Sequence, residues 1–297
     1  MQEKRGVNYR KLCYARFRYM AKQNNVALTS RDMEILTSLD RTPLTPKQLQ
    51  VVSQSFQRPF ANETLVRRRL GRLRDAGFAR SFPYSLVSEG RAPKYWKPTR
   101  TGYRLLYGSD CKLPSRRYFS EVSIGNHFHT HAIAEVVSHL IACGQKHGVV
   151  MNQYVRENVV VFEANRRRVL PDAAFRLVSE TQPDRPYSFV LELDNGTERV
   201  RTARDVESIE IKIQGYDAHQ SQFKRDDPDR YLVLFITTRS ESRLGRVLAS
   251  CSELIENPNR SLFLGTTLSS LLNSDPFSAP IFKSNNGLKR VLLPRKS

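Results

Sequence analysis

Between Asn62 and Gly77 the chain reads NETLVRRRLGRLRDAG, and no other stretch restricts the fold as much. Leu65, Val66, Leu70 and Leu73 recur at the spacing that lines one face of a helix. Asn62 is a capping residue type and Gly77 a terminating one. The spacing predicts a helix that buries its leucine stripe against neighbouring elements. Arg67, Arg68, Arg72 and Arg74 project largely away from that stripe, and Arg69 completes the run. Arginine's planar fork bonds guanine edges and phosphates in pairs, so these residues are candidate DNA contacts. A solvated basic face is the alternative.

The flanking sequence tells what kind of module holds this helix. Thr29-Ser30 caps RDMEILTSL, where Met33 and Leu36, with Ile35 and Leu39, make an apolar face. Thr45 caps PKQLQVVSQ, with Pro46 at the first helical position. After Gly77 the period changes to two, and strands are expected over Phe78–Tyr84 and Lys94–Pro98. The hairpin would carry Arg80, Arg91, Lys94 and Lys97 to a phosphate backbone or a minor groove. Thr101-Gly102 then opens a short helix, TGYRLLYG. Helix, helix, basic helix, hairpin is the order of a winged helix-turn-helix. The expected organisation is a basic arm over 1–28, this module over 29–110, a linker over 111–123, and a second domain over 124–297.

Charge agrees with that division. The chain has 48 Lys and Arg against 29 Asp and Glu, a net charge of +19. Up to residue 110 there are 22 cations and 8 acids, a net +14, which leaves +5 for the rest. A polyanion partner is implied, because neutralising phosphates releases counterions. The arm (RKLCYARFRYMAKQ) alternates cationic and aromatic residues. No stretch approaches the ~18 apolar residues of a membrane span, and the N-terminus has no apolar core of a secretory signal. Cys13, Cys111, Cys143 and Cys251 lie far apart, which argues against a zinc site and suits a reducing cytosol. The sequence has no Gly-rich phosphate loop and no GxSxG elbow.

In the second domain HFHTHAIAEVVSHLIACGQKHG reads as a helix of about twenty residues. His127, His131 and Glu135 share a stripe on it, a weaker candidate metal set. Strands are expected over Asn158–Phe162, Ala173–Val178 and Tyr187–Leu193, with TQPDRP as the intervening turn. A helix follows over Thr202–His219, with Asp205, Lys212 and Tyr216 on one face. RYLVLFITT and SLFLGTT read as strands, SESRLGRVLASCSELI and LSSLL as helices. The mixture predicts an α/β sandwich. Asp172 opens one strand, and Glu192 and Asp194 close the next on one side of it. If those strands pair as a hairpin, Asp172 lies beside Glu192. Such carboxylates suit Mg²⁺ or Mn²⁺. Glu192 sits within the apolar run SFVLELD, where an unpaired carboxylate is costly. Ordinary strand-edge acids are the alternative.

A basic winged module, then HTHAIAEV, LPDAAF, FVLELDNGTE and KIQGY, resembles the replication-relaxation proteins of plasmids and mobile elements. The resemblance covers about residues 29–240. It implies a two-domain α/β protein whose second domain is similar to the mixed-sheet α/β/α PD-(D/E)XK restriction-endonuclease-like fold. Glu135 would then be the helix acid, and Asp172 and Glu192 the paired acids and metal ligands. Asp194 occupies the position where that pattern has lysine, and Lys212 is the candidate replacement. The resemblance implies a cytoplasmic, nucleoid- or plasmid-associated protein that binds double-stranded DNA in plasmid replication, mobilisation or transposition. Its nuclease-like domain would be degenerate or a scaffold. The alternative is an active Mg²⁺- or Mn²⁺-dependent endonuclease using Glu135, Asp172, Glu192 and Lys212. Other mobile-element proteins and a second copy of the chain are further candidate partners.

Overall fold

The capping residues read from the sequence close the helices in a computed structural model of the chain, which describes residues 27–86, 92–157, 159–164, 167–196, 208–224, 227–257 and 260–293. Helix α1 spans Ser30–Arg41, and its N-cap Thr29 donates its backbone N–H to Asp32 Oδ2 at 2.7 Å. Helix α2 spans Pro46–Val52, with Gln48 N–H donating to Thr45 Oγ1 at 3.2 Å. Helix α3 spans Glu63–Asp75, and Leu65 N–H donates to Asn62 Oδ1 at 3.0 Å. Each bond satisfies an amide that the first helical turn leaves without a partner. Gly77, at φ 77°, ends α3, and Phe78 N–H then donates to Leu73 O at 2.8 Å. A side chain at that φ is disfavoured, which is why glycine stands there.

Strands β1 (Ala79–Pro83) and β2 (Lys94–Pro98) pair antiparallel, with Phe82 opposite Tyr95. An isolated bridge beside this hairpin was not anticipated. Leu44, between α1 and α2, exchanges backbone hydrogen bonds with Trp96 at 2.9 and 3.3 Å. Helix α4 (Arg100–Tyr107) packs closely here: a Cβ on Gly102 would fall inside contact with the Phe78 carbonyl. A short helix α5 (Arg116–Phe119) lies in the stretch read as a linker. That stretch is docked: Lys97 Nζ donates to Ser120 O at 2.7 Å, and Val122 N–H donates to Tyr95 Oη at 2.8 Å.

Helix α6 runs His127–Lys146. The chain divides into two compact units, residues 1–134 and 135–297, and the division falls inside this helix.

The second unit continues with β3 (Val149–Arg156), β4 (Phe162–Ala164), β5 (Arg167–Val169), β6 (Ala173–Ser179), β7 (Gln182–Asp194), α7 (Ile209–Gln220), β8 (Tyr231–Thr237), α8 (Glu241–Leu254), β9 (Phe263–Thr267), α9 (Leu268–Leu272), β10 (Phe282–Ser284) and β11 (Lys289–Arg290). Seven strands form one sheet in the order β11-β10-β9-β8-β7-β6-β3. The β7–β8 and β8–β9 pairs are parallel and the others antiparallel, so the protein is a mixed α/β one. Val190, Val233, Phe235 and Phe263 of the sheet pack on Ile209, Ile213 and Tyr216 of α7 and on Val247 and Cys251 of α8. Full burial of one such apolar side chain stabilises by about 1.5–3 kcal/mol.

Several boundaries differ from the sequence expectation. Strand β3 was not foreseen, because VVMNQYVR opens on three apolar residues and shows no apolar–polar alternation, although its first residues are alternately buried and exposed in the sheet. The strand expected over Asn158–Phe162 is β4 at Phe162–Ala164, and Asn158 lies outside the described residues. Strand β7 starts at Gln182, because Ser179 pairs with Gln182 across a two-residue turn. The polar run QPDRP is the exposed end of a strand, not the turn itself. Helix α7 is capped by Ser208, and residues 197–207, with Asp205 among them, lie outside the described residues. No helix among the described residues is long and apolar enough to cross a membrane.

Candidate functional site

The first candidate surface belongs to α3. Val66, Leu70 and Leu73 are buried, while Arg67, Arg68, Arg72 and Arg74 are exposed. Arg67 pairs with Glu63 one turn earlier, and Arg74 pairs with Asp75 at 2.8 Å. Both pairs are open to water, where such contacts contribute little. Among the described residues no carboxylate pairs with Arg68 or Arg72.

Two cations of the expected set are engaged inside the unit. Arg69 donates from Nε and Nη2 to Asp32, whose side chain is fully buried. That hydrogen bond holds the guanidinium above its ordinary value, although burial opposes it. Asp32 also caps α1, so Arg69 ties α3 to α1 and does not belong to the exposed stripe. Lys97 is 5% exposed, with its Nζ bonded to Ser120 O. Arg80 and Lys94 are exposed, the former 5.0 Å from the Phe82 ring centroid. Arg91 lies outside the described residues.

His127 is removed from the metal candidates by its own bonds. Ser85 N–H donates to Nδ1 at 2.7 Å, and Nε2–H donates to Val122 O at 2.9 Å. Both ring nitrogens are used, which excludes ligation by the same residue.

The second candidate centre lies in the second unit, where β6 and β7 place two acids side by side. The pairing of Ala173 with Leu191 extends by one step to set Asp172 opposite Glu192. Asp172 N–H donates to Leu191 O at 3.1 Å, and Leu193 N–H donates to Asp172 Oδ2 at 2.7 Å. Glu192 is 2% exposed. Its Oε2 accepts from Lys212 Nζ at 3.0 Å, and its Oε1 accepts from Tyr216 Oη. One turn of α7 separates Lys212 from Tyr216, so both meet the same carboxylate. Burial raises the Glu192 carboxyl, the Lys212 charge pulls it back only in part, and the Asp172 charge raises it further. Tyr216 is pushed far above its ordinary value, by burial first and by Glu192 next.

Asp194 shares the strand face with Glu192 but not the centre. Arg243 of α8 donates to both of its oxygens, at 2.6 and 2.7 Å, and Thr237 Oγ1 donates at 2.9 Å. Burial would raise this carboxyl, yet Arg243, Gly196 N–H and Thr237 together hold it below its ordinary value. Glu135 is half-buried on α6, and no hydrogen bond or ion pair joins it to Asp172, Glu192 or Lys212. The structure thus brings together Asp172, Glu192 and Lys212 from the expected set. It adds Tyr216, which helical spacing had placed beside Lys212. Arg243 was missed, and nothing in the sequence tied it to Asp194 across 49 positions.

A divalent ion fits this centre only in part. Asp172 and Glu192 offer hard oxygens, but both Glu192 oxygens already accept protein hydrogen bonds and Asp194 is bound to Arg243. Among the described residues no group of three or more His, Cys, Asp or Glu is arranged to hold a metal. What the centre does with its own groups is hold a buried charge pair closed by a phenol.

A family model described as replication-relaxation matches residues 36–228. No curated protein and no solved structure matches the chain.

Proposed function

The chain belongs to the replication-relaxation family, which connects it to plasmids and mobile elements, and from that premise we propose that it binds double-stranded DNA through α3, with the second unit serving as a scaffold. The observation that carries the reading is the division of α3 into two faces. Val66, Leu70 and Leu73 are buried, and Arg67, Arg68, Arg72 and Arg74 stand in water. The order α1, Leu44, α2, α3, β1, β2, with Leu44 bridged to Trp96, supports a winged helix-turn-helix. In that geometry the third helix enters the major groove and the hairpin lies along the backbone. Arg80 and Lys94 are the wing cations left exposed.

The second unit supports a PD-(D/E)XK-like reading by its order: α6, the antiparallel set β3, β6 and β7, then α7 and the parallel strand β8. We assign it a scaffold role because Glu192 is closed off by Lys212 and Tyr216 and Asp194 by Arg243. A second reading, a metal-dependent nuclease, is favoured by one observation. Lys212 restores an ammonium beside Glu192 where Asp194 replaces the lysine of that pattern. Mg²⁺ or Mn²⁺ at Asp172 and Glu192 would activate water and offset phosphate charge.

The test uses the full chain with a labelled duplex and with supercoiled plasmid. Duplex binding that falls steeply with salt and weakens in Arg68→Ala/Arg72→Ala supports the proposal. A protein that binds no duplex at low salt overturns it. Nicking with Mg²⁺ or Mn²⁺ that disappears in Asp172→Ala replaces the scaffold role by the nuclease.

A further inference from the structure

The first unit carries a second cationic surface that the α3 reading does not use. Tyr103, Tyr107, Tyr118 and Phe119 form one ring cluster on α4 and α5. The Tyr103 centroid lies 4.6 Å from Tyr107, 5.6 Å from Tyr118 and 6.0 Å from Phe119. Tyr107 Oη donates to Asp40 Oδ2 at 2.6 Å, and Tyr118 Oη donates to Asp40 Oδ1. One carboxylate on α1 therefore fixes two of the rings. Docking of α5 accounts for Tyr118 and Phe119, which are half-buried. It does not account for Tyr107, the last residue of α4, which stays 51% exposed.

The two helices that carry these rings are rich in arginine. The Arg100 guanidinium lies 5.7 Å from the Phe119 centroid. Arg104, Arg116 and Arg117 are exposed on the same two helices. One exposed ring, Tyr107, on helices that also carry exposed arginines suits a polyanion that also offers flat faces. Bases in a duplex are stacked on one another and present only their edges, whereas unpaired bases present their faces. Rings already fixed through Asp40 lose little freedom when a base stacks on them.

The geometry points to a single-stranded nucleic-acid site on Tyr107, Arg104, Arg116 and Arg117, separate from the duplex surface of α3. It deepens the DNA-binding reading, and it stands on different residues. Stacking supplies tolerance of base sequence, and the arginines supply the phosphate attraction.

The experiment is fluorescence anisotropy of the full chain with a labelled oligo-dT of about twenty nucleotides, longer than the roughly 4–16 that a single OB fold covers. A labelled duplex is titrated in parallel. Tyr107→Ala is expected to weaken oligo-dT binding by about tenfold, the effect of losing one stacked base, with duplex binding within about twofold. Arg104→Ala/Arg117→Ala is expected to act in the same direction and to flatten the salt dependence. Tyr107→Trp is expected to keep the binding and to show indole quenching on addition of oligo-dT. Oligo-dT binding that is unchanged in Tyr107→Ala overturns the site, as does a parallel loss of both ligands in that variant. Loss of duplex binding alone in Arg68→Ala/Arg72→Ala separates this site from the α3 surface. If those variants leave duplex binding intact while Tyr107→Ala abolishes oligo-dT binding, the α3 reading fails and this one stands.

Discussion

Lys212 on α7 sets its ammonium 3.0 Å from Glu192 Oε2 on β7, and both side chains are nearly out of water. Two buried charges are tolerable only as a pair, so helix and strand are locked together at this point. Removing one partner leaves the other without compensation. Lys212→Met is expected to lower stability by about 3–5 kcal/mol near neutral pH, and less in acid, where Glu192 takes up a proton. Urea unfolding at two pH values reads this out. An equal loss at both would mean that the pair carries no charge.

Glu192 also gives stability a pH dependence of defined sign. Its carboxyl is raised above the ordinary glutamate value, first by burial, so the folded state holds this proton more tightly than the unfolded chain does. The contribution is complete below the ordinary value of about 4.3 and is lost as pH rises through the raised value. Relative to Glu192→Gln, the wild-type protein is therefore expected to lose stability as pH rises across that window. A difference that grows in the opposite direction would contradict the assignment.

Arg69 and Arg68 are adjacent and are expected to behave differently. Arg69 is paired with a fully buried Asp32, and Arg69→Ala is expected to destabilise the first unit by about 3–5 kcal/mol. Asp32→Ala should do the same and should also remove the cap of α1. Denaturant midpoints for the two single variants and the double variant measure the coupling.

Arg68→Ala and Arg72→Ala are expected to leave stability within about 0.5 kcal/mol, as exposed substitutions do. Duplex affinity should fall by about 1–3 kcal/mol for an arginine at a base edge, or the salt slope by about one for an arginine at a phosphate. Binding titrations at three salt concentrations distinguish these outcomes. Affinity unchanged at every salt would remove α3 from the interface.

Gly215 on α7 is the point where the helix meets the β4–β5 hairpin. A Cβ there would fall inside contact with Val169 Cγ2. Gly215→Ala is expected to destabilise by about 1–3 kcal/mol through overpacking, although alanine is the better helix former. Gly215→Ala/Val169→Ala should recover part of that loss. Thermal unfolding of the three proteins checks the prediction.

The elements with local signals are legible in the sequence. Thr45, Asn62 and Gly77 mark helix ends through bonds made within a few residues, and Val66, Leu70 and Leu73 mark a buried face by spacing, while Leu65 of the same expected stripe is only half-buried. Asp172 beside Glu192 followed from the sequence only on the condition that PDAAF and SFVLELD pair as a hairpin, a condition the β6–β7 pairing meets. Strand β3 and the start of β7 were not, since their limits depend on pairing partners and not on their own pattern.

The arginine stripe, the acids at the ends of β6 and β7, and the face shared by Lys212 and Tyr216 were thus determined by sequence alone. Which charges remain available was decided by tertiary structure. Arg69 is taken by Asp32 from 37 positions away, Lys97 by Ser120 O, and Asp194 by Arg243. A local pattern reports the direction in which a side chain leaves its own helix or strand. It does not report the distant group that arrives there, and for a charge near the core that group determines whether it holds the fold or faces a ligand.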